Sequence, residues 1–253
     1  MDNDDKQVGQ ILNRRDALKV LGIGSAAALL TACASELVTE TLAPTSVAST
    51  TQVVTNSTAL PMCVVRPELT EGPYFVDEML NRSDIRSDPS DGSISNGAQF
   101  NLAFNVSQVG SNGCAPLSGA QVDIWHCDAN GVYSDAQDPG FNTKGKKFLR
   151  GYQVTNAGGL AQFVTIYPGW YGGRAVHIHF KIRIDNYEFT SQLFFDDVFT
   201  DQVYLQEPYA QKGERTLRND GDNIYQSGGS QLVLNVKPDG AGYTAIFDIG
   251  VQM

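Results

Sequence analysis

Val176-His177-Ile178-His179-Phe180-Lys181-Ile182-Arg183-Ile184 alternates apolar and polar side chains without a break. Successive side chains of a strand point to opposite faces, so Val176, Ile178 and Phe180 form one stripe while His177 and His179 leave the other face side by side. The same period of two runs through Phe100, Leu102, Phe104 and Val106, through Val122 and Ile124, and through Phe148, Arg150, Tyr152 and Val154. Turn signals separate these segments: Asn156-Ala157-Gly158-Gly159, and Pro238-Asp239-Gly240 between predicted strands at Leu232 to Val236 and Tyr243 to Ile249. With 25 Gly, 12 Phe and 10 Tyr, the pattern predicts an all-β protein, a β-sandwich core with long loops.

The chain has 253 residues, 42% hydrophobic and 18% charged, enough for a sizeable core. No apolar run reaches the ~18 residues that span a bilayer. A net charge of −10 repels phosphates, which excludes nucleic acid as a partner. At the N-terminus Asn13-Arg14-Arg15-Asp16-Ala17-Leu18-Lys19 precedes a short apolar stretch from Val20 to Leu30, the form of a twin-arginine export signal. Leu30-Thr31-Ala32-Cys33 has the form of a lipobox, with Cys33 the acylated residue. Residues 1–32 therefore read as a signal peptide, and residues 33–61, Ser/Thr-rich and without turn grammar, as a tether. Residues 62–253 read as the folded domain of a periplasmic or cell-surface lipoprotein, with the lipid its only hold on a membrane.

With Cys33 assigned to lipid, Cys63, Cys114 and Cys127 are an odd set in an oxidising compartment, which gives one bridge and one free thiol. Cys114 and Cys127 flank a predicted strand ~20 Å long, too far apart to pair. Cys63 is then the partner of one of them.

His177 and His179 alone read equally as metal ligands or as polar residues on a solvated sheet face. No CxxC or HExxH accompanies them, so further ligands must be of another kind. Tyr133, after the turn Asp128-Ala129-Asn130-Gly131-Val132, and Tyr171, in Pro168-Gly169-Trp170-Tyr171, both fall on loops. Phenolates are hard anionic donors suited to a trivalent ion.

Five pieces occur in order: Thr70-Glu71-Gly72-Pro73-Tyr74, Ile124-Trp125, Gly131-Val132-Tyr133, Pro168-Gly169-Trp170-Tyr171, and Arg174 ahead of His177-Ile178-His179. From about Cys63 through Phe195 the sequence resembles the intradiol ring-cleavage dioxygenases, the family of catechol 1,2-dioxygenase and protocatechuate 3,4-dioxygenase. The resemblance implies a mononuclear non-haem Fe(III) held by Tyr133, Tyr171, His177 and His179. It implies a catechol-type substrate that is cut by dioxygen between its two hydroxyl-bearing carbons to a muconate-type diacid. In that reading Tyr171 is ligand and base, and Arg174 stabilises charge moving onto the ring. Gln192 is then either a hydrogen-bond donor near the oxygen site or a satisfied core amide. Tyr74 and Trp170 would line the pocket, and His126 would be a packing residue. Only Gly172 and Gly173 separate Tyr171 from Arg174, shorter than in better-known members, which implies a more open mouth. The resemblance also places Thr70 to Tyr74 near the site and so favours a Cys63–Cys127 disulfide with Cys114 free. The rival reading is a secreted β-sandwich binding module with a structural or vestigial metal site. It leaves the ordered tyrosines, histidines and arginine without a purpose.

Overall fold

Phe100, Leu102, Phe104 and Val106 all lie on β1 (Gln99–Gly110), and all four are buried. The alternation is that of a strand with one face in a core. In the computed structural model, which describes residues 64–111 and 113–253, β1 is central to one sheet. It pairs in parallel with β11 (Gly242–Val251) along one side. Along the other it pairs antiparallel with β7 (Leu160–Ile166) and then β2 (Gly113–Pro116). β10 (Lys237–Asp239) closes the edge beside β11.

The second sheet has the order β6 (Arg150–Val154), β3 (Gln121–Trp125), β8 (His177–Ile184), β9 (Tyr187–Phe194), antiparallel throughout. A two-stranded ribbon, β4 (Gln137–Asp138) with β5 (Phe141–Asn142), stands apart. Phe104 of β1 meets Phe180 of β8 with centroids 5.4 Å apart, and Phe247 of β11 lies 5.9 Å from Phe104 and 5.6 Å from Phe180. These rings join the two sheets into the predicted sandwich, each buried phenylalanine stabilising it by about 1.5–3 kcal/mol.

The apolar stripe of β8 therefore faces the sandwich core. His177 and His179, on the opposite face, are 2% and 1% exposed. A solvated sheet face is thus ruled out for them. The described residues also hold two short α-helices, α1 (Asp197–Val203), capped by Asp196, and α2 (Asn223–Gln226), capped by Asp222, with three single-turn 3-10 helices at Tyr209–Lys212, Asn219–Gly221 and Gly229–Gln231.

Two predicted strands differ from the structure. Phe148 lies outside β6, which begins at Arg150. Leu232 to Val236 is no strand: its pairing is one bridge from Val233 to Phe194, and the hairpin partner of β11 is β10. Pro238 sits in β10 at the sheet edge, where its missing N–H costs nothing.

The disulfide is also corrected. Cys127 is a free, buried thiol, its Sγ donating to Gly169 O at 3.4 Å, while Cys114 is disulfide-bonded. Sheet register supplies the reason. Val65 bridges Gly250 of β11 in parallel, and a Cβ on Gly250 would meet both Val64 and Val109. Val109 is the register partner of Cys114. The start of the domain thus lies along the β1–β2–β11 sheet, away from the tyrosine loops. Cys33, Cys63, the signal peptide and the tether lie outside the described residues.

Candidate metal centre

β8 delivers the two histidines from its non-core face, and their Nε2 atoms stand 3.0 Å apart. His177 Nδ1 lies 2.6 Å from Ala175 O. A carbonyl only accepts, so Nδ1 carries the proton and Nε2 presents its lone pair. Trp125, the register partner of His179 on β3, stacks on the His179 ring at 5.0 Å and 8°. From the other side, a Cβ at Gly72 would come within 3.0 Å of His179 Cε1, and φ there is +71°. Glycine in Thr70-Glu71-Gly72-Pro73-Tyr74 is thus what lets that segment close over the ligand.

The two tyrosines arrive on loops that touch. Asp128 Oδ1 accepts from Asn130 N and Val132 N, each at 2.9 Å, which folds the turn leading to Tyr133. Gly169 N donates to Asp128 O at 3.1 Å, and Lys212 Nζ donates to both Asn130 O and Trp170 O, fastening one loop to the other. Gly131, at φ +81°, allows the approach: a Cβ there would sit 2.2 Å from Trp170 O. Arg150, buried, donates to Tyr74 O at 2.5 Å and to Ser134 O, tying Tyr74 beside Tyr133. Burial lowers this guanidinium to about 10.

The Tyr133 hydroxyl lies 3.3 Å from His177 Nε2, and the Tyr171 hydroxyl 3.4 Å from the same atom. His177 Nε2 therefore faces two hydroxyls and a second imidazole nitrogen, and its one lone pair cannot satisfy all of them. Ligands about 2 Å from a shared first-row ion sit roughly 3–3.5 Å apart, which is the spacing found here, so the residues present fit a metal. Among the described residues no group of three or more His, Cys, Asp or Glu could hold an ion. A metal at this point needs the tyrosine oxygens.

Burial holds His177 and His179 well below the ordinary histidine range, with Arg174 adding to it in both. Both are thus neutral, as ligands must be. Burial, then the neighbouring Tyr171, pushes Tyr133 well above the ordinary phenol range, so a phenolate at Tyr133 requires a cation beside it. His126 is no ligand: Nδ1 donates to Cys127 O at 2.8 Å and Nε2 accepts from Thr165 Oγ1 at 2.7 Å.

Arg174 reaches the same cluster. Burial lowers its pKa, but Tyr171, Asp222 and Tyr133 outweigh that and raise it overall. Gln192, opposite His179 on β9, is fully buried; its Oε1 accepts from Arg174 Nη2 at 2.5 Å and its Nε2 donates to Thr70 O at 2.8 Å. It is a satisfied amide that holds Arg174. Tyr74 stacks on Tyr133 at 4.3 Å and donates to Asp138 Oδ2 at 2.8 Å. Trp170 is half-buried, with Lys212 Nζ 4.5 Å from the centre of its ring. The sequence reading missed Asp222, Asp138 and the stacking of Trp125. The register partners Trp125 and His179 could have suggested the last.

Residues 70–223 match the family profile described as Dioxygenase (Dioxygenase_C). An intradiol ring-cleavage dioxygenase from Tetranychus urticae is 32% identical, with a TM-score of 0.67; the match covers 75% of this chain and 95% of that one. The dioxygenase domain of a dioxygenase carbohydrate-binding protein fusion from Streptomyces sp. SirexAA-E is 27% identical, with a TM-score of 0.54, over 75% of this chain and 99% of that one. Catechol 1,2-dioxygenase 1 of Acinetobacter lwoffii is 27% identical over 47% of this chain and 42% of its own length. The chain spans about two-fifths of the length of the curated relatives it matches. The matched profile encloses all four converging donors together with Arg174 and Gln192, and the chain belongs to the intradiol dioxygenase family.

Proposed function

We propose that this protein cleaves a catechol-type aromatic with dioxygen to a muconate-type diacid at a single non-haem ferric ion held by Tyr133, Tyr171, His177 and His179. The observation that carries the reading is the meeting of two phenol oxygens with two imidazole nitrogens around His177 Nε2, beside a buried arginine. When bound, the ferric ion would act as a Lewis acid that draws electron density from a catecholate and readies its ring for dioxygen.

The two tyrosines divide the work by burial. Tyr133 is 1% exposed and clamped face to face by Tyr74, so it is the fixed ligand. Tyr171 is half-buried and followed by Gly172 and Gly173, both exposed. It can turn aside, and its Oη is the proton acceptor for a catechol hydroxyl as the diol enters. Arg174 supplies a permanent positive charge where the ring's electron density rises. The short Gly172-Gly173 link leaves the mouth open to substituted catechols. Export by the twin-arginine route, with Cys33 lipidated, is part of the proposal and would place the reaction outside the cytoplasm.

The test is turnover of catechol by iron-loaded protein under isotopically labelled dioxygen, read by mass spectrometry. The expected product is a ring-opened diacid carrying both labelled atoms. Unconsumed catechol, or an aldehyde from cleavage beside the diol, would overturn the reading.

A further inference from the structure

We infer that Asp222 is a positioning residue for the reaction, the group that holds the Arg174 guanidinium against the site. The inference rests on the function proposed above, and nothing in the family profile or the relatives' names assigns it.

Asp222 is 1% exposed, and its carboxylate accepts only from N–H groups. Its Oδ2 accepts from Arg174 Nε at 3.0 Å and from Ala175 N at 2.8 Å. Its Oδ1 accepts from Ile224 N at 2.8 Å and Tyr225 N at 3.3 Å, capping α2. The carboxylate is thereby fixed to the fold independently of the arginine. Gln192 takes Nη2 from another direction, and is itself anchored on Thr70 O. A long, flexible side chain is thus gripped at two nitrogens, and the freedom it would otherwise lose on meeting the substrate is lost on folding. The second grip sets Arg174 beside the ligand strand, because Gln192, which takes its Nη2, is the register partner of His179. A guanidinium released from Asp222 could leave that position.

Asp222 also touches the segment that leads into the ligand strand. It fixes Ala175 N, and the carbonyl of the same residue accepts the Nδ1 proton of His177. Iron content separates this route from the arginine route.

Asp222→Asn is the informative substitution. Asn caps a helix as well as Asp does, so α2 keeps its cap, but its amide N–H₂ would face two donors, Arg174 Nε and Ala175 N. The variant is measured alone and combined with Arg174→Ala. The expected result is folded protein with unchanged iron content and a lowered melting temperature of the apoprotein, since a buried cation loses its counter-charge, with kcat down at least about tenfold and KM within about twofold. Anaerobic catechol binding should likewise be retained. On the Arg174→Ala background the same change should cost less than about twofold, because the group it positions is gone. An equal loss on both backgrounds, or a wild-type rate for the single variant, would overturn the inference, as would loss of iron. If the Asn variant does not fold, Asp222→Ser, which also caps, is judged by the same cycle. Absence of turnover in the iron-loaded wild type would sink the proposed function itself, whereas wild-type turnover with an additive cycle sinks only the role of Asp222.

Discussion

Tyr133→Phe and His177→Ala are expected to leave protein that folds but does not retain iron. Outer-shell partners of metal ligands typically contribute about 10–100-fold in affinity, and loss of a ligand should exceed that. Tyr133→Phe is the sharper case because it removes one oxygen and leaves the ring stacked on Tyr74 at 4.3 Å. The core around it, Trp125, Cys127 and Ala136, keeps its shape. Iron per chain after gel filtration is the measurement, with the melting temperature of the apoprotein as the control for folding. Full iron content in Tyr133→Phe would remove Tyr133 from the ligand set.

Arg174→Ala should do the reverse, keeping iron and losing rate. Removing a preorganised group that faces developing charge typically costs about 10²–10³ in kcat. The fold tolerates the change because Asp222 keeps Ala175 N, Ile224 N and Tyr225 N as donors, so no anion is left bare in the core. Steady-state kinetics on protein of matched iron content checks it. Full activity in Arg174→Ala would remove its role on the substrate.

The central strands of the two sheets were legible because each has one face in the core. Phe100 to Val106 and Val176 to Ile184 alternate cleanly, and that alternation also set His177 beside His179. Leu232 to Val236 has the same local look, but Phe194 N bonds to Leu232 O and Leu234 N to Phe194 O, a contact too short to make a strand. The tyrosines were legible only through the ordered motifs, since a loop tyrosine carries no period. Asp222 was not legible at all. Its partner Arg174 is 48 residues away, and an aspartate before a short helix announces only a cap. The disulfide failed for a related reason. Strand direction was read correctly, yet the start of the domain runs along β11 at Gly250, a parallel contact between distant residues that no local pattern records.

The central claim is that two tyrosine oxygens and two histidine nitrogens hold a ferric ion. Its most direct test is the metal content and visible spectrum of the purified wild-type protein. Tyrosinate ligation predicts about one iron per chain and a coloured protein, with a visible band from tyrosinate-to-iron charge transfer. Colourless protein that binds zinc stoichiometrically would contradict it.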